Sequence, residues 1–277
     1  MLNTKTISEL REKTGAGIVD CKKALEETNG DIHKAAEILR EKGIAKAAKR
    51  TDREASEGVI KVAVNNDNNE GYMVEANAET DFVALNEKFQ AFADQVLAII
   101  KAQKITGRDA LLAASMDNGT VKDNLDNLSS VIGEKLDIKN ADTLSSSGTV
   151  VAYSHMDGKI GVLVALDKTG QAELGHDIAM QIAAMHPKYI SREQVPAEEI
   201  NKEKEMYTDE LKREGKPENM IEKIIVGKLN KYFGETCLVD QEFIKDDTKK
   251  IKDVLGEVKI EKFIVYSLAG TSERCGL

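Results

Sequence analysis

Apolar positions in the first fifty residues recur at helical spacing in three short blocks. Ile7 and Leu10 stand three apart. Ile18, Cys21 and Leu25 share one face at i, i+3 and i+7, and Ile32, Ala35, Ala36 and Leu39 share another at i, i+3, i+4 and i+7. Between the last two blocks, Gly30 suits a left-handed helix end and Asp31 a cap for the next helix; Thr14-Gly15-Ala16-Gly17 makes the earlier corner. The pattern predicts a small three-helix module. Residues 44–57, IAKAAKRTDREASE, are rich in Ala and charge and predict an exposed helical linker, cationic through Lys46, Lys49, Arg50 and Arg53.

The period then shifts to that of strands. GVIKVAV (58–64) and GYMVEANA (71–78) flank the polar loop 65–70 and predict a β-hairpin. A helix follows over about 85–103, with Phe89, Phe92, Val96, Ile99 and Ile100 as its stripe. The unit recurs about ninety residues later. GTVVAYSHM (148–156), an Asp157-Gly158 turn and KIGVLVAL (159–166) predict a second hairpin, and GHDIAMQIAAM (175–185) a second helix with Ile178, Ile182 and Met185 on one side. A helical stretch over 119–135 lies between the two units.

Residues 196–235 have a thinner stripe, broken at Gly215-Lys216-Pro217, and predict an antiparallel helical hairpin projecting from the body. A helical segment around 248–256 and a strand over 259–270 complete the pattern. The fold class is therefore α+β. Its parts are a three-helix module with linker (1–54), a first core half (55–145) and a second core half (146–277) that includes the helical hairpin.

Composition narrows the function. The chain has 277 residues, 41% hydrophobic and 31% charged, with a net charge of −9. That acidity argues against direct nucleic-acid binding, which needs a Lys/Arg surplus. No run approaches the roughly 18 apolar residues of a membrane helix, and the first residues carry no signal-peptide h-region, so the chain reads as cytoplasmic. Cys21, Cys237 and Cys275 are far apart and fit reduced structural thiols. There is no phosphate loop, no nucleophile elbow and no metal spacing among His33, His155, His176 and His186; His176 and His186 fit packing and capping roles. No cofactor and no catalytic residue is expected. A small module, a linker, a duplicated core and a protruding helical pair suit gripping a large partner.

Four stretches, TGAGIVDCKKALEETNGDIHKAAEILREKG (14–43), EANAETDFVALNEKF (75–89), YSHMDGKIGVLVAL (153–166) and GKPENMIEKIIVGKLNKYFGE (215–235), resemble landmarks of the bacterial elongation factor Ts family, in that family's order. The resemblance implies a ubiquitin-associated-like fold for the first module and a coiled-coil-like helical hairpin. It implies guanine nucleotide exchange on elongation factor Tu, by binding alone. It also leaves room for a homodimer or a 2:2 complex.

It assigns Thr80, Asp81, Phe82 and Val83 to the partner's Mg²⁺ and phosphate region, with Phe82 as a wedge, Asp81 as a polar contact, and Thr80 and Val83 shaping the turn. By residue type alone, Phe82 reads as a core residue at the first turn of a helix. His155 matches a family histidine facing the same partner. Ile18-Val19 stand where the family often has two methionines; Ile18 belongs to the apolar face, and Val19 points away, free for a partner. Many relatives continue past the last strand into a contacting helix, whereas TSERCGL (271–277) predicts a reduced contact there. A plain adaptor, or an enzyme with a site in the duplicated core, are the alternatives.

Overall fold

The computed structural model describes residues 3–48, 50–117, 119–270 and 272–276. Three helices open the chain: α1 (Thr4–Thr14), α2 (Ile18–Glu27) and α3 (Ile32–Ala48). They close on a small core of Leu10, Cys21, Ala24, Leu25 and Ala35. The Asp31 side chain accepts the N–H groups of His33 and Lys34, the expected cap. Ile18 departs from the expected face: it is exposed, as is Val19. Side chains lean toward a helix's N-terminus, so a residue in the first turn overhangs the packed face. The linker also departs from expectation. Helix α3 ends at Ala48, and the chain then turns rather than continuing as a solvated helix. Arg50 donates to the Ser129 carbonyl, Arg53 pairs with Glu79, and Ala55 is buried, so the segment is tied down. Lys49 and the side chain of Lys46 lie outside the described residues.

The first hairpin is β1 (Glu57–Val64) and β2 (Glu70–Ala78). A one-turn helix α4 (Asp81–Ala84) precedes α5 (Glu87–Gln103), whose Phe89, Phe92, Val96 and Ile100 are buried. Then come α6 (Arg108–Ala113), the short strands β3 (Ser115–Met116) and β4 (Gly119–Thr120), α7 (Val121–Ile132) and β5 (Leu136–Ser145). Strand β5 escaped the sequence reading because Asn140-Ala141-Asp142 breaks its alternation. It joins the sheet in the order β1-β2-β5, and Asn140 donates to the buried carboxylate of Glu75. Helix α3 packs on α7, with Arg40 paired to Asp123 at 3.1 Å.

The second half repeats the scheme with β6 (Thr149–His155), β7 (Ile160–Leu166) and α8 (Ala172–Met185). Ile178 and Ile182 are buried, but Met185, at the last position, is exposed. His186 caps α8 in the left-handed conformation, and His176 sets its ring edge-on to Tyr153. The helical hairpin is α9 (Ala197–Arg213) and α10 (Glu218–Thr236). At its base the Glu199 carboxylate accepts the phenols of Tyr189 and Tyr232, each at 2.5 Å. Burial, then this carboxylate, pushes the Tyr189 phenol up to about 12.

The remaining elements are β8 (Glu242–Phe243), β9 (Asp246–Lys250), α11 (Ile251–Leu255), β10 (Ile260–Ser267) and β11 (Ser272–Cys275). The last expected strand thus stops at Ser267, and its polar continuation turns back as β11. The sheet order is β11-β10-β7-β6, antiparallel throughout, with Thr149 opposite Leu166 and Val164 opposite Phe263. Cys21, Cys237 and Cys275 are free and buried. Among the described residues, no helix is long and apolar enough to cross a membrane.

Two compact units make up the chain. One comprises Met1–Lys61, Tyr72–Thr143 and Leu268–Gly270; the other comprises Val62–Gly71, Leu144–Ser267 and Thr271–Leu277. The repeat carries a matched steric signature. A Cβ on Gly58 would collide with the Ala76 carbonyl, and a Cβ on Gly148 with the Leu166 carbonyl. Gly58 is the second residue of β1 and Gly148 stands just before β6, each against the end of its hairpin's second strand. Gly58→Ala and Gly148→Ala are each expected to cost about 2–3 kcal/mol. Gly227→Ala, in open space on α10, should instead stabilise by about 0.5–1 kcal/mol. Urea unfolding of the three variants checks all three signs.

A candidate partner-binding turn

Strand β2 ends at Ala78, and within three residues the chain has entered α4. A helix of a single turn has no stability of its own, because nucleation fixes several dihedrals for one hydrogen bond. Its order comes from neighbours. Thr80 is its N-cap, and its hydroxyl oxygen accepts the Val83 N–H at 3.4 Å. The same hydroxyl donates to Glu134 at 2.9 Å, and the Thr80 N–H donates to the other Glu134 oxygen at 3.1 Å. Val83 and Ala84 are buried beneath the turn, and Gln90 donates to the Ala84 carbonyl at 2.6 Å.

The residue just after the strand is held reciprocally. The Glu79 carboxylate accepts the Lys135 N–H, while Arg53 approaches it at 3.2 Å. The Lys135 ammonium in turn donates to the carbonyls of Thr51 and Arg53, both at 2.7 Å. The other side of this clamp is fixed by local chemistry at the end of α7. Gly133 takes the left-handed C-cap conformation, and the buried Ser129 hydroxyl donates to the Glu134 carbonyl. Each carboxylate therefore accepts a backbone N–H from the segment that carries the other.

On this frame the turn points apolar groups into solvent. Phe82 is 83% exposed and Leu85, one turn on, is 76% exposed. Phe82 is thus not the core plug that its residue type suggests. Asp81 is exposed, and its carboxylate accepts the Phe82 N–H at 2.9 Å, which leaves its other oxygen facing outward. Thr80, Asp81, Phe82 and Val83 come together as one feature with two faces: Thr80 and Val83 inward, Asp81 and Phe82 outward.

Leu85 was missed by sequence reasoning. Its signal was the i, i+3 spacing to Phe82. Val19 lies on α2, 65% exposed beside the exposed Ile18. His155 lies in the second compact unit, at the tip of the β6–β7 hairpin. There its Nδ1 is 3.0 Å from the Tyr153 hydroxyl, and Met156 beside it is exposed. No group of His, Cys, Asp and Glu able to hold a metal exists among the described residues.

Partial burial would push the Glu79 carboxyl up, but the Lys135 N–H and then Arg53 outweigh it and hold the carboxyl below its ordinary range. A lowered pKa in the folded state means the stabilisation is present above the unfolded value and lost as pH falls through the folded one. Wild type and Glu79→Gln should therefore differ most in urea midpoint near neutral pH and converge below about pH 4. A gap independent of pH would remove the charge from this account.

Residues 79–270 match the family model for elongation factor Ts. The chain is 41% identical over 283 residues to "Elongation factor Ts" of Prosthecochloris aestuarii, covering 96% of this chain and 98% of that one. It is 44% identical over 280 residues to the protein of the same name from Clostridium perfringens strain SM101, covering 96% and 92%. The matched span begins at Glu79, the clamp residue just before the exposed turn, and takes in the helix of the first hairpin-and-helix repeat and the whole of the second. On this match the chain belongs to the elongation factor Ts family of translation elongation factors.

Proposed function

We propose that this protein is the guanine nucleotide exchange factor for elongation factor Tu, acting in the cytoplasm by binding and with no cofactor of its own. The observation that carries the reading is an aromatic ring, 83% exposed, on a turn held by charged hydrogen bonds. Monomeric surfaces gain nothing from such a ring, and its burial in a partner's apolar gap is worth about 1.5–3 kcal/mol. A rigid base makes the gain usable, because little ordering entropy is spent on contact.

In this mechanism Phe82 enters the nucleotide-binding domain of the partner near its Mg²⁺ and phosphate cradle. Bound GDP depends on that cradle, so displacing its elements weakens much of the affinity. Exchange follows from negative coupling: factor and nucleotide each bind well alone and poorly together. Asp81 offers its outward oxygen to the same region, and Leu85 widens the apolar contact. Val19 on the first module and His155 at the second hairpin's tip supply further contacts. A second copy of the complex, in a 2:2 assembly, is compatible with this scheme.

Release of a fluorescent GDP analogue from elongation factor Tu, followed by stopped flow, tests the reading. Wild type should accelerate release, and Phe82→Ala should slow it by about 30-fold, the loss of an interface hot spot. Leu85→Ala should slow it less. Because both side chains are exposed, neither substitution should move stability by more than about 0.5 kcal/mol. Equal rates for wild type and Phe82→Ala would remove the wedge, and no acceleration by wild type would remove exchange and favour a plain adaptor.

A further inference from the structure

We infer that Glu134, some fifty residues along the chain from the exposed turn, is a positioning residue for Phe82; the inference rests on the exchange function proposed above. Three observations carry it. Helix α4 has only 4 residues, too few to hold itself. Glu134 is joined to Thr80 through both the backbone N–H and the hydroxyl, at 3.1 and 2.9 Å. That hydroxyl is also the N-cap of α4, so one carboxylate orients the group that orders the turn.

Thr80 Oγ1 has one proton and two lone pairs. With its proton directed to Glu134, a lone pair is left facing the Val83 N–H. Without Glu134 the hydroxyl is free to rotate and donate elsewhere, and the Thr80 N–H loses its acceptor. The one-turn helix then frays, and Phe82, 83% exposed, samples many directions. Glu134 itself is not free to follow, since Gly133, the Ser129 hydroxyl and the Glu79–Lys135 hydrogen bond fix its backbone. The role is therefore to aim the ring. It requires no contact between Glu134 and the partner.

The test uses the full chain with Glu134→Ala, Glu134→Gln, Phe82→Ala and the double variant Glu134→Ala/Phe82→Ala. Stopped-flow GDP release is read beside amide hydrogen exchange of residues 80–85 in the free protein. Glu134→Ala should speed amide exchange at 80–85 and slow GDP release by about 10-fold, a part of the loss expected for removing the ring itself. Glu134→Gln keeps an acceptor for the Thr80 N–H and should recover much of both. In the Phe82→Ala background, Glu134→Ala should add no further slowing, because a residue that acts through the ring has nothing left to aim.

Equal slowing in both backgrounds would overturn the inference, as would unchanged rates in Glu134→Ala. If Glu134→Ala fails to fold, Thr80→Val replaces it, with the same non-additivity required. Amide loosening in Glu134→Ala combined with no exchange activity in wild type would instead sink the exchange reading, and with it any positioning role.

Discussion

Two carboxylates, Glu79 and Glu134, each accept a backbone N–H from the segment that carries the other. This exchange ties the end of strand β2 to the end of helix α7. Hydrogen bonds to a charged acceptor are worth about 1.5–3 kcal/mol, more than neutral ones. The Lys135 ammonium and Arg53 extend the same lattice to the segment after α3. The exposed turn depends on it, because nothing within four residues of helix supplies comparable order.

The arrangement separates anchoring from presentation. Thr80, Val83 and Ala84 face the protein, and Asp81, Phe82 and Leu85 face away. Neighbouring pairs of positions in one short turn thus carry opposite duties. Phe82 and Leu85 together make an exposed apolar patch rather than one scattered residue, and such patches mark surfaces that meet a partner. The same division recurs more weakly elsewhere. On α2, Cys21, Ala24 and Leu25 face the module's core while Ile18 and Val19 face outward. At the second hairpin's tip, His155 and Met156 face outward from a turn with positive φ at Met156 and Asp157.

The two halves of the core repeat one arrangement of elements. The two halves share a hairpin, a following helix and a later strand that pairs with the hairpin's second strand, β5 beside β2 and β10 beside β7. They also share a glycine where the hairpin's first strand crosses a backbone carbonyl of the second. That contact admits no Cβ of any residue, so the backbone path itself selects the glycine. The helical hairpin in the second half is attached differently, by Glu199 between two tyrosines and by Arg192 on Asp240 at 2.6 Å.

The sequence by itself determined the elements whose signals are local. Helical spacing marked α1 to α3, α5 and α7 to α11, and alternation with turn residues marked both hairpins, because periodicity and caps act within a few residues. It also carried the family, through four stretches in order. It did not reveal β5, which pairs with the distant β2, nor β3, β4, β8, β9 and β11, short strands with too few apolar residues to show alternation. It mistook the segment after Ala48 for a free helix, since the contacts of Arg50, Arg53 and Lys135 join residues tens of positions apart. Above all, residue type could not say which way Phe82 faces. Burial is a property of what packs around a side chain, and for Phe82 that was decided by tertiary structure: the clamp from Glu134 and the burial of Val83 and Ala84 turn the ring outward.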